Sequence, residues 1–187
     1  MLVLSKTEYH KDFLRFGQII KQLKPLYDNG TLEKIHLNSL LRQFMGTLPN
    51  ASNINNWTGK ISKEALNVYS TQDKFNINCE HEYPKQIIIP LLFTDYYEQA
   101  IDPVELEILY FSTFGNFNLV TQQENLRLIT HQHPDRFTTP EESYKRAKIE
   151  LVDCSSCRDI LFTNTKPWFK HPLIENIKLI NYDRTIS

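Results

Sequence analysis

A chain of 187 residues with 41% hydrophobic, 12% aromatic and 23% charged residues has the composition of a globular protein with a real core, not of a disordered or fibrous one. The 21 Lys and Arg nearly balance the 22 Asp and Glu, and the net charge of −1 excludes a strongly basic nucleic-acid-coating surface, leaving room only for a local basic cleft. Three cysteines, an odd number, argue against a disulfide framework, and the longest apolar run, Ile87–Phe93, is far too short to span a bilayer. The N-terminal MLVL is likewise too short for a signal peptide, so the reading is a cytoplasmic protein with no membrane partner.

Ser5 and Glu8 form a capping box that opens a first helix, expected to run to about Lys24 ahead of Pro25. Phe13, Phe16, Ile19, Ile20 and Leu23 give it an apolar face. A turn at Asp28-Asn29-Gly30 leads to a second helix expected from Leu32 to Met45, and the two read as a helical hairpin. His10 and His36 on these helices are expected to be solvated or core histidines. The polar stretch Thr47–Lys60 reads as a loop, within which Trp57 is expected to plug the core. Ser62 then caps a short helix through Tyr69.

In Lys74–Pro84, Phe75, Ile77 and Cys79 alternate with Asn76, Asn78 and Glu80, the period of a half-buried strand that delivers Glu80, His81 and Glu82 just before Pro84. The apolar run after it suits a buried strand or a helix start, and periodicity does not decide between them. Asp102-Pro103-Val104-Glu105 is a helix start, expected to run to about Thr113 and to stop at Gly115-Asn116, with Glu105 and Glu107 as exposed acids. Phe117, Leu119 and Val120 form a short strand that runs into Thr121-x-x-Glu124, a capping box opening a helix that carries Asn125 in its first turns.

A strand ending in carboxylate and His, with a second strand feeding a helix that carries Asn, suits metal-assisted phosphodiester hydrolysis. A His accepts a proton from water, while carboxylate and amide oxygens suit a hard divalent cation. Glu80-His81-x-x-Pro84 followed by Val120-Thr121-x-x-Glu124-Asn125-x-x-Leu128 resembles the divergent HNH, or ββα-metal, endonucleases of phages and restriction systems. The resemblance implies DNA as partner, His81 as general base, and Glu80 and Asn125 as ligands of Mg²⁺ or another divalent cation. With the capped helices ahead of this core, the chain reads as α+β: an N-terminal helical part, residues 1–70, then a strand–strand–helix core with a helical insertion, residues 71–187, as two parts or one compact domain. A homodimer is compatible with it.

His131 and His133 are candidates for additional ligands or phosphate contacts if the Asn125 helix ends by Ile129. A capped helix follows from Thr139-Pro140 to about Glu150, with Lys145, Arg146 and Lys148 as a basic, solvated face. Cys154-Ser-Ser-Cys157 has half of a zinc-site spacing, and Cys79 with one His could complete a structural Zn²⁺ site. Such a zinc-stabilised module binding nucleic acid or protein, without catalysis, is the alternative reading. A last strand or docking segment with Trp168 and Phe169 is expected in Phe162–Ser187.

Overall fold

Residues 10–32, 37, 39, 56–71 and 77–157 are described by the structure, a computed structural model. In chain order they form α1 (His10–Asp28), β1 (Trp57–Ser62), α2 (Lys63–Thr71), β2 (Ile77–His81), α3 (Lys85–Phe93) and α4 (Tyr97–Ile101). Then come α5 (Pro103–Leu109) with a π-helical turn (Tyr110–Phe114), β3 (Phe117–Thr121), α6 (Gln122–Ile129), α7 (Pro140–Arg146), β4 (Leu151–Asp153) and a 3-10 turn (Ser155–Cys157). The chain is therefore α+β, as expected. Most of the expected Leu32–Met45 helix and the whole Phe162–Ser187 segment lie outside the described residues.

The chain divides into two compact units, neither of them contiguous in sequence. The first comprises Met1–Asn56, His81–Asn116 and Gln132–Phe137. Its core joins Phe13, Phe16 and Ile20 of α1 with Ile88, Ile89, Leu92 and Phe93 of α3 and with Leu106, Leu109, Tyr110 and Phe114. The apolar run after Pro84 thus resolves as a helix, with buried residues at i, i+1, i+4 and i+5. Helix α1 continues past Pro25 to Asp28, one turn beyond the expected stop. Packing explains the difference: Tyr27 stacks on Phe93 at 4.8 Å between ring centroids, and Lys24 pairs with Asp28.

Helix α5 begins where expected, with Asp102 accepting from the backbone N–H groups of Val104 at 2.8 Å and Glu105 at 3.1 Å. Glu107, expected to be exposed, is instead only 4% exposed and lies 3.5 Å from His10 Nδ1. The helix widens into the π turn, which Gly115 closes by donating its N–H to the Tyr110 carbonyl at 2.7 Å.

The second unit comprises Trp57–Glu80, Phe117–His131 and Thr138–Ser187. Its four-stranded sheet has the order β2-β3-β1-β4, with β1 parallel to β3 and antiparallel to β4. Every residue of β3 is buried, because apolar groups cover both faces. Phe117 and Leu119 pack with Trp57, Ile61, Ala65 and Leu66 on one face. Val120 packs with Leu128, Tyr144, Ala147 and Ile149 on the other.

The stretch read as a loop up to Lys60 is in part the strand β1. Its register against β3 shifts between Trp57 and Ile61, and Gly59 sits in that irregularity at φ 86°. A bulge at a glycine in positive φ looks like a turn in sequence but keeps its place in a sheet. Trp57 plugs the core as expected, at 8% exposure. Helix α7 ends at Arg146, short of Glu150, because Lys148 adopts φ 56° and the Ile149 N–H turns back to the Tyr144 carbonyl at 2.9 Å.

Candidate functional site

Strand β2 ends at His81, and Glu80, His81 and Glu82 are all half-buried there. The Glu82 N–H donates to the Asn116 carbonyl at 3.0 Å, which ties the residue after the strand to the corner closing the π turn. Gln132 donates through its side chain to the His81 carbonyl at 3.4 Å, and its own carbonyl accepts from Gln86 at 2.8 Å. The backbone around His81 is thus held from two directions within the first unit.

Burial lowers the pKa of the His81 imidazole below its ordinary value of 6.5, and the nearby Lys85 ammonium lowers it further. A hydrogen bond with the Asn116 backbone works the other way. The ring is therefore held neutral near pH 7, the form that accepts a proton. Its Nδ1 is shielded from solvent and has no hydrogen-bond partner.

Glu80 and Asn125 belong to the second unit. Glu80 stands on β2, the edge strand beside β3, and β3 leads directly into α6. The capping box expected at Thr121 is present: the Glu124 N–H donates to Thr121 Oγ1 at 3.1 Å, and the Thr121 N–H donates to Glu124 Oε2 at 2.8 Å. Asn125 follows in the first turn and is half-buried. Its amide oxygen and the Glu80 carboxylate are hard donors of the kind that Mg²⁺ or Mn²⁺ takes, so the donor set fits such an ion in chemical type.

Helix α6 ends at Ile129, the condition under which His131 and His133 were candidates. His131 is half-buried, whereas His133 is exposed and its Nδ1 lies 3.3 Å from Asp135. Among the described residues, no three or more His, Cys, Asp or Glu side chains gather as a metal cluster.

Cys79 lies on β2 and Cys154 follows β4, the two edges of the sheet. Cys79 packs against the core cluster that contains Cys154. Cys154 is buried, and its N–H donates to the Gly59 carbonyl at 2.7 Å. Burial, and secondarily Glu80, push the Cys79 thiol up to about 12, so it stays protonated. Cys157 closes the 3-10 turn, and its side chain lies outside the described residues. On α7, Lys145 and Arg146 are exposed and pair with Glu142 at 3.4 and 3.6 Å.

Sequence reasoning passed over Asn56, Lys85, Asn116 and Gln132. Asn116 had a local cue, since it follows the glycine that closes a helix. Asn56 sits in an Asn-rich stretch with no distinguishing signal, and only the structure shows that it is 1% exposed. No protein-family model, curated protein or solved structure matches the chain.

Proposed function

We propose that this chain is a metal-dependent endonuclease of the HNH kind, hydrolysing phosphodiester bonds of DNA with His81 as the general base. The observation that carries the reading is the state of His81: a neutral imidazole with an unpartnered Nδ1, at the end of a strand and between two carboxylate residues. Buried polar atoms are normally paired, and an orphaned one marks a group kept for another partner.

The chain's own residues would act as follows. His81 Nδ1 takes a proton from a water molecule as its oxygen bonds to phosphorus, and the bond to the leaving oxygen breaks. The Asn116 backbone holds the ring in orientation, and the Lys85 ammonium favours return of the proton by opposing the imidazolium. Glu80 and Asn125 would hold a divalent cation, which when bound supplies charge stabilisation to the phosphate oxygens.

The test is cleavage of mixed-sequence duplex DNA with Mg²⁺ or Mn²⁺ and with chelator. Cleavage that needs the ion, with Glu80→Gln and Asn125→Ala each requiring more of it, supports the proposal. Cleavage indifferent to chelator, or variants with an unchanged ion requirement, would remove Glu80 and Asn125 from the site.

A further inference from the structure

Helix α1 ends in a turn built by the backbone of Asn29, Gly30 and Leu32. The Asn29 N–H donates to the Pro25 carbonyl at 3.2 Å, the Gly30 N–H to the Tyr27 carbonyl at 3.2 Å, and the Leu32 N–H to the Leu26 carbonyl at 3.0 Å. Gly30 sits at φ 72°, the left-handed conformation that commonly ends helices, and an added Cβ there would meet nothing within 4 Å. Asn29 and Gly30 are both exposed, and Asn29 Oδ1 accepts the Thr31 N–H at 2.9 Å. No other Asn in the sequence is followed by Gly.

An Asn side chain bonded to the backbone two residues on is folded over the peptide unit between them. Here that unit ends in the Gly30 nitrogen, which has no side chain beside it to keep it from the carboxamide or from solvent hydroxide. The Thr31 N–H draws charge off Asn29 Cγ and is in place to hold the oxyanion that attack on that carbon creates. The bond to the Tyr27 carbonyl restrains the Gly30 nitrogen, but at 3.2 Å on an exposed helix end it is long and opens readily.

We infer that Asn29-Gly30 is a site of spontaneous deamidation, and that its product opens the last turn of α1. The Gly30 nitrogen, its proton lost to hydroxide, bonds to Asn29 Cγ while the carbonyl electron pair moves onto Oδ1. The pair returns, the bond from Cγ to Nδ2 breaks, and Nδ2 leaves as ammonia with a proton from water. Water then opens the cyclic imide at either carbonyl, giving aspartate or isoaspartate, so that one water is consumed for each ammonia released. Either product sets a new carboxylate at the C-terminal, partially negative end of α1, beside Asp28, which is already paired with Lys24. Isoaspartate also puts an extra methylene into the backbone, out of register with the Pro25, Leu26 and Tyr27 carbonyls. The turn that carries Tyr27 against Phe93 is thereby loosened.

The experiment incubates the full chain in mildly alkaline buffer, native in one arm and unfolded in urea in the other, and maps its peptides by mass spectrometry over time. The native arm should gain about one dalton at Asn29 ahead of every other Asn, at least as fast as the urea arm. Gly30→Ala should slow the conversion roughly 10-fold or more, since a methyl beside the attacking nitrogen and a strained φ both displace the reacting atoms. Aged native protein, separated from fresh by its extra negative charge, should unfold at lower urea. Conversion at Asn29 in the urea arm alone would show that the turn protects the site and overturns the inference, as does no conversion in either arm or an unchanged rate in Gly30→Ala. An unchanged urea midpoint in the aged fraction overturns the opening of α1.

Discussion

Ser62 and Glu124 share a buried hydrogen bond: Ser62 Oγ donates to Glu124 Oε2 at 2.5 Å, with the side chains 0% and 3% exposed as residues. Each is also part of a helix cap. Ser62 Oγ accepts the Ala65 N–H at 2.9 Å at the start of α2, and Glu124 closes the capping box of α6. The parallel strands β1 and β3 therefore hand over to their helices at one carboxylate, whose charge suits two helix N-termini.

Glu124→Ala removes that carboxylate from both caps and strands the Ser62 hydroxyl and the Thr121 N–H. It should cost about 2–4 kcal/mol in urea denaturation, the sum of a lost cap and a buried unsatisfied donor. A loss no greater than that of a neutral surface change, about 0.5 kcal/mol, would show that the carboxylate holds neither cap.

Gly115 and Asn56 give a second stability test. Gly115→Ala drives a methyl into the Asn56 amide and the Tyr110 carbonyl, and should destabilise by about 1–3 kcal/mol. The double variant Asn56→Ala/Gly115→Ala should recover part of this, since the amide clash is gone while the Tyr110 carbonyl at 2.9 Å remains. Strict additivity of the two single variants, measured by the same denaturation series, would mean that the amide and the glycine do not contact.

What was readable in the sequence was what local chemistry dictates. The caps at Ser62, Asp102, Thr121 and Thr139 all open helices where expected, because a side-chain acceptor two or three residues before free N–H groups needs no tertiary context. The alternation through Ile77 and Cys79 marked β2 for a similar reason. Tertiary packing decided the rest. Gly59 disguised β1 as a loop, since only its neighbours β3 and β4 show it to be a bulge. Strand β4, only three residues long, carried no period of its own. Glu80 and His81 stand at the end of β2, where the alternation put them. The burial of the Asn56 amide leaves no mark on the sequence.

The pH dependence of stability follows from two groups on and beside β2. Native His81 resists protonation, so as pH falls below 6.5 the unfolded chain binds a proton that the folded one does not. Stability from this group is whole above that pH and is lost on the acid side. Native Cys79 holds its proton up to about 12, so as pH rises past 9.0 the unfolded chain releases one that the folded chain retains, and stability falls. Urea midpoints across both ranges should show His81→Gln flattening the acid limb and Cys79→Ala the alkaline limb. An unchanged acid slope in His81→Gln would show that the ring is not held neutral. The Cys79 thiol should also react slowly with thiol reagents near neutral pH, since little thiolate is present.

Single-turnover DNA cleavage by wild type and His81→Ala at saturating Mg²⁺ or Mn²⁺ tests most directly the proposed role of His81 as the base that takes a proton from water. Loss of a general base should lower the rate constant by a factor of about 10²–10⁴, with DNA affinity and melting temperature close to wild type. Cleavage by His81→Ala at the wild-type rate would contradict the account.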